Sequence, residues 1–145
     1  MLPDGVHFHV SEFACHDGTP YPDYLAEAWA KLVNMCDMIR EQWGRPLTVV
    51  SGYRTPEHNQ ALIAADQERG SHQVASSSFH VLGQAADLRP EQADQIDALL
   101  QLVLRMHADG ELPMLGGVGA YPVSCWVHVD TGIPADGHLR RWNGV

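Results

Sequence analysis

The most regular pattern of apolar residues in the chain lies between Asp23 and Trp43. Apolar side chains recur there every three or four positions, at Leu25, Trp29, Leu32, Cys36, Ile39 and Trp43. This spacing places them along one face of an α-helix, and Gly44 and Pro46 supply a stop signal directly afterwards. The pattern therefore predicts an amphipathic helix that packs against a core.

A second group of elements follows this helix. Residues 47–50 form a short apolar run, which is typical of a buried strand. Thr55 is a good N-cap and Pro56 fits the first helical position, so we expect a helix from Pro56 to about Ala65. Residues 66–77 are polar, contain a glycine and end among serines, and they predict an exposed loop.

The second half of the chain is expected to combine short strands with one more helix. Residues 85–88 predict a buried strand. Pro90 is expected to start the helix, which should stop near Asp109. The apolar stripe of this helix consists of Ile96, Leu99, Leu100, Val103 and Leu104.

The glycine-rich segment at residues 116–122 predicts a strand rather than a phosphate-binding loop, because it lacks the GxGxxG order and a following helix. Residues 125–129 predict the next strand, and residues 136–145 could add an edge strand. This order of elements favours the α+β class, with helices flanking a small, mostly antiparallel sheet. At 145 residues the chain is expected to be a single domain, residues 1–145.

Composition and charge argue against several functions. The formal net charge of −9 disfavours a nucleic-acid partner, because such binding depends on Lys and Arg. Lys31 is the only lysine and no apolar run is long enough to cross a membrane, so we expect no membrane insertion. The three cysteines have no CxxC spacing and are expected to be free thiols, whereas nine histidines favour metal chemistry.

Two candidate metal ligands lie within residues 78–87. His80 and Asp87 stand seven positions apart, and Gly83 between them predicts a sharp turn that returns Asp87 to His80. A neutral imidazole nitrogen and a carboxylate oxygen are both ligands that zinc accepts, but a site needs at least one more.

The third candidate ligand is His128, in a later predicted strand. Alternation along that strand places Trp126, His128 and Asp130 on one face and an apolar set on the other. His80, Asp87 and His128 would then give three ligands and an open fourth position, as in catalytic zinc sites. The alternative is that each of these residues has a separate structural role.

These residues resemble the signature of a known family. The motif Ser78-x-His80-x-x-Gly83-x-Ala85-x-Asp87, followed by a strand histidine, is similar to that of zinc D-Ala-D-Ala peptidases. These enzymes belong to the superfamily that includes the hedgehog-type and D,D-peptidase folds. Motifs similar to the branch of phage and bacterial murein peptidases occur at residues 11–20, 51–56, 117–122, 128–132 and 141–142. The resemblance covers nearly the whole chain.

The resemblance implies a hedgehog/D,D-peptidase-like fold and one zinc ion on His80, Asp87 and His128. It also implies that Arg54 faces the substrate and holds a peptide carboxylate or the developing oxyanion. The alternative for Arg54 is a surface salt bridge. Ser78 would support the loop or one of the ligands.

The substrate implied by the same resemblance is the stem peptide of bacterial peptidoglycan. Cleavage by a D-Ala-D-Ala carboxypeptidase and by a crosslink endopeptidase both fit this framework. Tyr53, Tyr121 and Trp126 could line a substrate groove, although burial in a core is the more common position for aromatic residues. No obligate protein partner is inferred.

The chain departs from the family pattern at the general base. Many members have a Glu three residues before the last ligand and others have a His two residues before it, whereas this chain has Cys125 and Trp126. Asp130 is the candidate for the base, for a partner of a ligand, or for a simple turn residue. His16 and His72 are further candidates, both in predicted loops.

A zinc metallopeptidase is therefore the first hypothesis. The second is a zinc-binding module that binds murein or a partner without cleaving it, which Cys125 at the Glu position favours. A serine hydrolase is the third, but no nucleophile elbow surrounds Ser78. The amino terminus lacks the features of a signal peptide, so we expect either a phage or prophage lysin or a trimmed periplasmic domain.

Overall fold

The computed structural model describes residues 1–71, 74–75 and 78–145. Short 3₁₀ turns at Val10–Phe13 and Asp23–Leu25 precede the first helix, and another at Ala93–Gln95 precedes the third. The helices and strands, in chain order, are α1 (Ala26–Trp43), β1 (Leu47–Ser51), α2 (Pro56–Glu68), β2 (Ala85–Pro90), α3 (Ile96–Ala108), β3 (Gly117–Tyr121), β4 (Trp126–Asp130) and β5 (Arg140–Asn143).

Within the described residues the strands form a five-stranded sheet in the order β1-β2-β4-β3-β5. All neighbouring strands are antiparallel except β3 and β5, which run parallel. The predicted α+β class with a mostly antiparallel sheet is confirmed, and the tail of the chain does supply an edge strand. None of the described helices combines the length and apolarity needed to span a membrane.

The first two helices follow the local signals in the sequence. Gly44 ends α1, and its N–H donates to the Arg40 carbonyl at 3.0 Å. The Thr55 hydroxyl accepts the N–H of His58 at 3.1 Å and so caps α2 as expected.

The predicted loop at residues 66–77 begins too early, because α2 continues to Glu68. Asp66 is buried and accepts the N–H of Val74 at 2.9 Å, so a residue read as exposed loop is part of the packed helix. Residues 72–73 and 76–77 of this segment lie outside the described residues.

The prediction that Pro90 starts a helix is wrong. Pro90 is the last residue of β2 and pairs with Leu47 of β1. Because β4 pairs with β2 only as far as Leu88, Pro90 lies beyond the end of that ladder, and its missing N–H costs no hydrogen bond there.

Cys125 was expected to be the first residue of a strand and to face the core with Val127. It instead lies in the turn before β4, has a positive φ of 66° and is only partly buried. A tight turn between β3 and β4 requires this backbone conformation, which removes Cys125 from the alternating pattern of the strand.

The sheet has one apolar face and one polar face. The apolar face is buried in the core with residues of α1 and α3 and consists of Ala86, Leu88, Val118, Ala120, Val127 and Val129. Because alternate side chains of a strand point to opposite sides, Asp87 and His128 lie on the other face. The core therefore supports a sheet whose second face is free for polar chemistry.

On the polar face, Gly119 leaves room for the side chain of Trp142 to extend from the edge strand over the sheet. Gly119 pairs with His128 on one side and with Trp142 on the other. A Cβ atom at Gly119 would lie 2.3 Å from Nε1 of Trp142, so a larger residue would displace the indole. The indole of Trp142 thereby lies against His128, with 5.1 Å between the ring centroids.

We expect Gly119→Ala to reduce the free energy of unfolding by about 1–3 kcal/mol, because the added methyl group overpacks against Trp142. Urea denaturation measures this cost, and a double-mutant cycle with Trp142→Ala isolates its cause. The same substitution should cost much less in the Trp142→Ala background. An equal cost in both backgrounds would show that the indole is not the source of the strain.

Candidate metal centre

Asp87 and His128 are direct cross-strand neighbours in the middle of the sheet. Residue Asp87 of β2 pairs with His128 of β4, and both side chains lie on the polar face. Nδ1 of His128 is 3.0 Å from Oδ1 of Asp87, and both residues are buried. The register of two strands alone therefore brings together two of the predicted ligands.

His80 reaches the same place through the turn before β2. Gly83 has a φ of 70°, and its carbonyl accepts the hydroxyl of Tyr21. The turn returns the chain as predicted, so that Nε2 of His80 lies 3.4 Å from Oδ2 of Asp87. The sequence prediction for Gly83 matches its backbone conformation.

A hydrogen bond to the backbone fixes the orientation of the His80 ring. Its Nδ1 lies 2.8 Å from the carbonyl oxygen of Gly52, a geometry in which the ring N–H donates to that oxygen. This bond leaves the lone pair of Nε2 directed at Asp87, as a metal ligand requires. The N–H of His80 also donates to the hydroxyl of Ser78 at 3.2 Å, so Ser78 supports the loop that carries His80.

The donor atoms of His80, Asp87 and His128 all lie within 4.8 Å of one another. Two imidazoles and one carboxylate are a ligand set that suits zinc, and a set of three leaves a fourth position open. All three residues are buried, which is the setting in which unpaired charge would be costly. The residues present therefore fit a zinc ion.

Asp130 holds the second nitrogen of His128. Its Oδ2 lies 2.8 Å from Nε2 of His128, and its Oδ1 accepts the N–H of Gly132 at 3.0 Å and a hydrogen bond from Arg140. Asp130 is fully buried, so both carboxylate oxygens are committed to protein partners.

A small residue between Arg140 and Asp130 leaves room for their side chains to meet. Ala85, Asp130, Gly117 and Arg140 are successive cross-strand partners on the polar face. A Cβ atom at Gly117 would lie 2.6 Å from Oδ2 of Asp130 and 2.7 Å from Nη1 of Arg140. The guanidinium of Arg140 also stacks on the ring of Phe79 at 4.5 Å. Arg140 is thus fixed from several sides.

Burial and charge set the protonation of this cluster. Burial lowers the pKa of His80 and keeps it neutral. Burial opposes ionisation of Asp87, but the neighbouring imidazoles outweigh it and hold the pKa of Asp87 below its usual range. Burial is likewise outweighed at His128, where hydrogen bonds from the ring to Asp130 and Asp87 raise the pKa to about 9. A divalent ion bound at Nδ1 would therefore displace a proton from His128.

The cluster lies at the base of an open cavity of about 640 Å³. Arg54 lines this cavity and is held in place by Asn59, whose Oδ1 accepts from Nη1 of Arg54 at 3.1 Å. Asn59 is itself buried and donates to the carbonyl of Ala75 at 3.1 Å. The backbone N–H of Arg54 donates to the carbonyl of His80 at 3.1 Å, which ties the two loops together.

Aromatic side chains form one wall of the cavity. Tyr121 and Trp126 pack together with 5.6 Å between their ring centroids, and Nε1 of Trp142 donates to the Tyr121 hydroxyl at 2.8 Å. Tyr53, which was also a candidate for the substrate groove, is instead buried in the core against Tyr21.

Neither Cys125, at the position of the family's Glu, nor the base candidate His16 reaches the cluster. The thiol of Cys125 points back to the carbonyls of its own turn at 3.6 Å and does not line the cavity. Nε2 of His16 lies 2.7 Å from the carbonyl of Val50, on the outside of β1. His72 lies outside the described residues.

Sequence reasoning missed Arg140 and Asn59. Alternation along the tail contained a signal for Arg140, because it shares a strand face with Trp142 of the matched motif. For Asn59 no such signal exists, since its contact with Arg54 depends on how α2 packs beside the loop.

The sequence is similar to that of one family of known proteins. The sequence profile of the family described as peptidoglycan L,D-endopeptidase MepK matches residues 27–142. The peptidoglycan L,D-endopeptidase MepK of Escherichia coli strain K12 is 39% identical over 98 residues, which cover 68% of this chain and 44% of that protein. The probable peptidoglycan L,D-endopeptidase MepK of Haemophilus influenzae is 33% identical over 99 residues, with the same coverage of 68% and 44%.

The chain thus spans less than half the length of these curated relatives, and no solved structure matches it significantly. The matched region includes every residue of the cluster around Asp87 and also Arg54. The resemblance to murein peptidases is therefore confirmed, and the chain belongs to the peptidoglycan L,D-endopeptidase MepK family.

Proposed function

We propose that this chain is a zinc-dependent metallopeptidase that hydrolyses peptide bonds in the stem peptides of bacterial peptidoglycan. The observation that carries the proposal is the convergence of His80, Asp87 and His128 at the base of an open cavity. Membership of a family of peptidoglycan endopeptidases supports the substrate class. The one zinc ion would be held by these three side chains.

A zinc ion held there would lower the pKa of a water molecule to about 7 and polarise a substrate carbonyl. The protein's part is to orient the ligands. The Gly52 carbonyl fixes the ring of His80, and Asp130 fixes the ring of His128. Each imidazole thus presents one defined nitrogen to the same point, which is the arrangement that a catalytic site needs.

Arg54 is proposed to bind negative charge on the substrate. Its guanidinium lines the cavity, and its position is set by Asn59 and by the backbone bond to the His80 carbonyl. A planar fork of donors suits either a stem-peptide carboxylate or the oxyanion that develops during hydrolysis. Arg54 therefore stabilises negative charge on the reacting group from the lining of the same cavity as Tyr121, Trp126 and Trp142.

Asp130 is proposed to act through His128 rather than as the general base. Both of its oxygens accept hydrogen bonds from protein groups, and the side chain is fully buried. A base must be within hydrogen-bond reach of the proton that it removes. With a metal bound at Nδ1 of His128, Asp130 would instead complete a carboxylate–histidine–metal arrangement, which would raise the basicity of the ligand and fix its tautomer.

For the bond that is cut, we propose a crosslink or internal stem-peptide bond rather than a terminal D-Ala. The support is the endopeptidase description of the family and of its relatives.

A second candidate function is a zinc-binding module that binds murein without cleaving it. One observation favours it: the position at which many related enzymes have a Glu base is Cys125, and this thiol faces away from the cavity. In that case the aromatic wall and Arg54 would serve binding alone.

Digestion of purified sacculi tests the proposal. We expect the chain to release muropeptides, a chelator to stop the release, and zinc to restore it, because the three ligands act only through the metal. His80→Ala and His128→Ala should abolish the release, whereas His138→Ala, an exposed histidine, should not. Mass spectrometry of the products separates crosslink cleavage from loss of terminal D-Ala.

Undiminished release of muropeptides by His80→Ala and His128→Ala would contradict the metallopeptidase proposal. Binding of zinc and sacculi without release by the unmodified chain would instead establish the binding module.

The role of Asp130 is tested with Asp130→Asn, which keeps the shape of the side chain and removes its charge. Zinc affinity should fall about 10- to 100-fold, because the imidazole of His128 loses its carboxylate partner. Competition with a chromophoric chelator measures this change, and saturating zinc should recover most of the activity. Asp136→Asn, at an exposed loop carboxylate, is the matched control.

The opposite pattern contradicts this assignment. Unchanged zinc affinity together with loss of turnover at saturating zinc would identify Asp130 as the base.

Asn59→Ala tests the positioning of Arg54. We expect kcat/KM to fall about 10- to 100-fold, because the guanidinium loses its fixed position, while zinc affinity stays the same. Asn34→Ala, at an exposed position of α1, is the matched control.

Arg54→Lys provides a second variant if Asn59→Ala is poorly folded. It retains the charge but not the planar fork, so it should show the same loss. Wild-type kinetics in Arg54→Lys would remove the guanidinium fork from the proposed mechanism, whereas wild-type kinetics in Asn59→Ala alone would show that Asn59 does not position Arg54.

A further inference from the structure

A second group of potential metal ligands lies away from the cavity. Cys15, Asp17 and His58 each offer one ligand atom, and these atoms all lie within 4.8 Å of one another. Cys15 and Asp17 belong to the loop before α1, and His58 lies in the first turn of α2. The three residues share no ligand with the cluster around Asp87.

The loop that carries Cys15 and Asp17 is fixed by its own hydrogen bonds. The N–H of Cys15 donates to the carbonyl of Thr19 at 2.8 Å, and the N–H of Gly18 donates to the carbonyl of Cys15 at 3.0 Å. Oδ1 of Asp17 accepts the N–H of Thr19 at 2.9 Å. The two ligand side chains are therefore presented from a preformed turn.

Thr55 connects this turn to α2. Its N–H donates to Sγ of Cys15 at 3.4 Å, and its hydroxyl donates to Oδ2 of Asp17 at 2.8 Å. The same hydroxyl accepts the N–H of His58 as the helix cap. The imidazole of His58 is thereby brought to the thiol and the carboxylate by the start of the helix.

A simple ion pair does not account for this placement. Among the described residues, no hydrogen bond or ion pair joins the ring of His58 to Cys15 or to Asp17, and its recorded ring contact is with His16, at 6.0 Å between centroids. Ligand atoms of a tetrahedral zinc site are about 3.5 Å apart, as the Zn–N and Zn–S bond lengths require. The three atoms here lie within 4.8 Å of one another, so binding one ion would draw them closer together by about 1 Å at most.

The charges of the group also suit a divalent cation. Hydrogen bonds from the backbone and side chain of Thr19 and from Thr55 hold the pKa of Asp17 below its usual range, so the carboxylate is ionised. A metal-bound thiolate would add a second negative charge, and a neutral imidazole adds none. Thiolate and imidazole ligands favour zinc and similar transition metals over calcium or magnesium.

The group lies at the boundary between the core and the solvent. Cys15 is buried, His58 is half-buried and Asp17 is exposed, so the thiol faces the core and the carboxylate faces solvent. A metal ion can therefore enter from the solvent side, where a water molecule would complete its coordination.

We propose that Cys15, Asp17 and His58 form a second, structural site for zinc or a zinc-like divalent metal. The ion would fasten the segment before α1 to the start of α2. This junction adjoins Arg54, and the N–H of Tyr53 donates to the carbonyl of Phe13 at 2.8 Å in the same region. A metal here would thus stabilise the loop on which Arg54 is carried.

Cobalt titration of the 145-residue chain, after removal of metals with a chelator, tests this site. We expect two equivalents of Co²⁺ to bind. The ion bound by Cys15, Asp17 and His58 should produce a sulfur-to-cobalt charge-transfer band in the near ultraviolet. The cluster around Asp87 contains no cysteine and should produce no such band. Binding of one equivalent without this band would overturn the proposal.

Variants assign the band to its residues. Cys15→Ser and His58→Ala should each remove the band and one equivalent, whereas His128→Ala should remove the other equivalent and keep the band. Cys125→Ser, at a partly exposed thiol, is the matched control and should retain both. A band that persists in Cys15→Ser, or disappears in Cys125→Ser, would overturn the assignment.

Thermal unfolding tests the structural role without relying on Cys15, whose replacement could impair folding. In the His128→Ala background, zinc should raise the unfolding midpoint, because a metal that binds only the folded state stabilises it. The rise should be absent in the His58→Ala/His128→Ala chain. A midpoint that does not respond to zinc in the His128→Ala background would overturn the proposed fastening.

Discussion

The pairing of Asp87 with His128 across two central strands is the constraint on which the rest of the structure depends. A carboxylate buried in the middle of a sheet is costly unless it has partners, and here His128 and His80 supply them. The apolar residues on the opposite face anchor both strands in the core. The stability of the sheet thereby fixes the geometry of a polar cluster that would not be stable alone.

The small residues of the polar face extend this arrangement to the edge of the sheet. Gly119 leaves room for Trp142 beside His128, and Gly117 leaves room for Arg140 to reach Asp130. Two rows of cross-strand partners are thus formed. The row that contains Asp87 and His128 presents the proposed ligands, and the row that contains Asp130 and Arg140 supports them. The edge strand β5 contributes to the site through two residues. Trp142 lies against the proposed ligand His128, and Arg140 bonds to Asp130.

Local signals in the sequence were sufficient for much of this structure. The helix caps at Gly44 and Thr55 and the turn at Gly83 are set by residues close in the chain, and strand alternation correctly placed Asp130 beside His128. The interaction of Arg140 with Asp130 was not predictable in the same way, because it depends on the parallel pairing of β5 with β3. Pro90 and Tyr53 show the same limit, since sheet pairing and core packing, rather than local preference, decided their positions.

Anomalous diffraction at the zinc edge, from crystals of the full chain grown with equimolar zinc, tests the central claim most directly. The account predicts a peak about 2.0–2.2 Å from Nε2 of His80, a carboxylate oxygen of Asp87 and Nδ1 of His128, with Nε2 of His128 still bonded to Asp130. Density showing these three side chains ordered and fully occupied, without an anomalous peak between them, would contradict it.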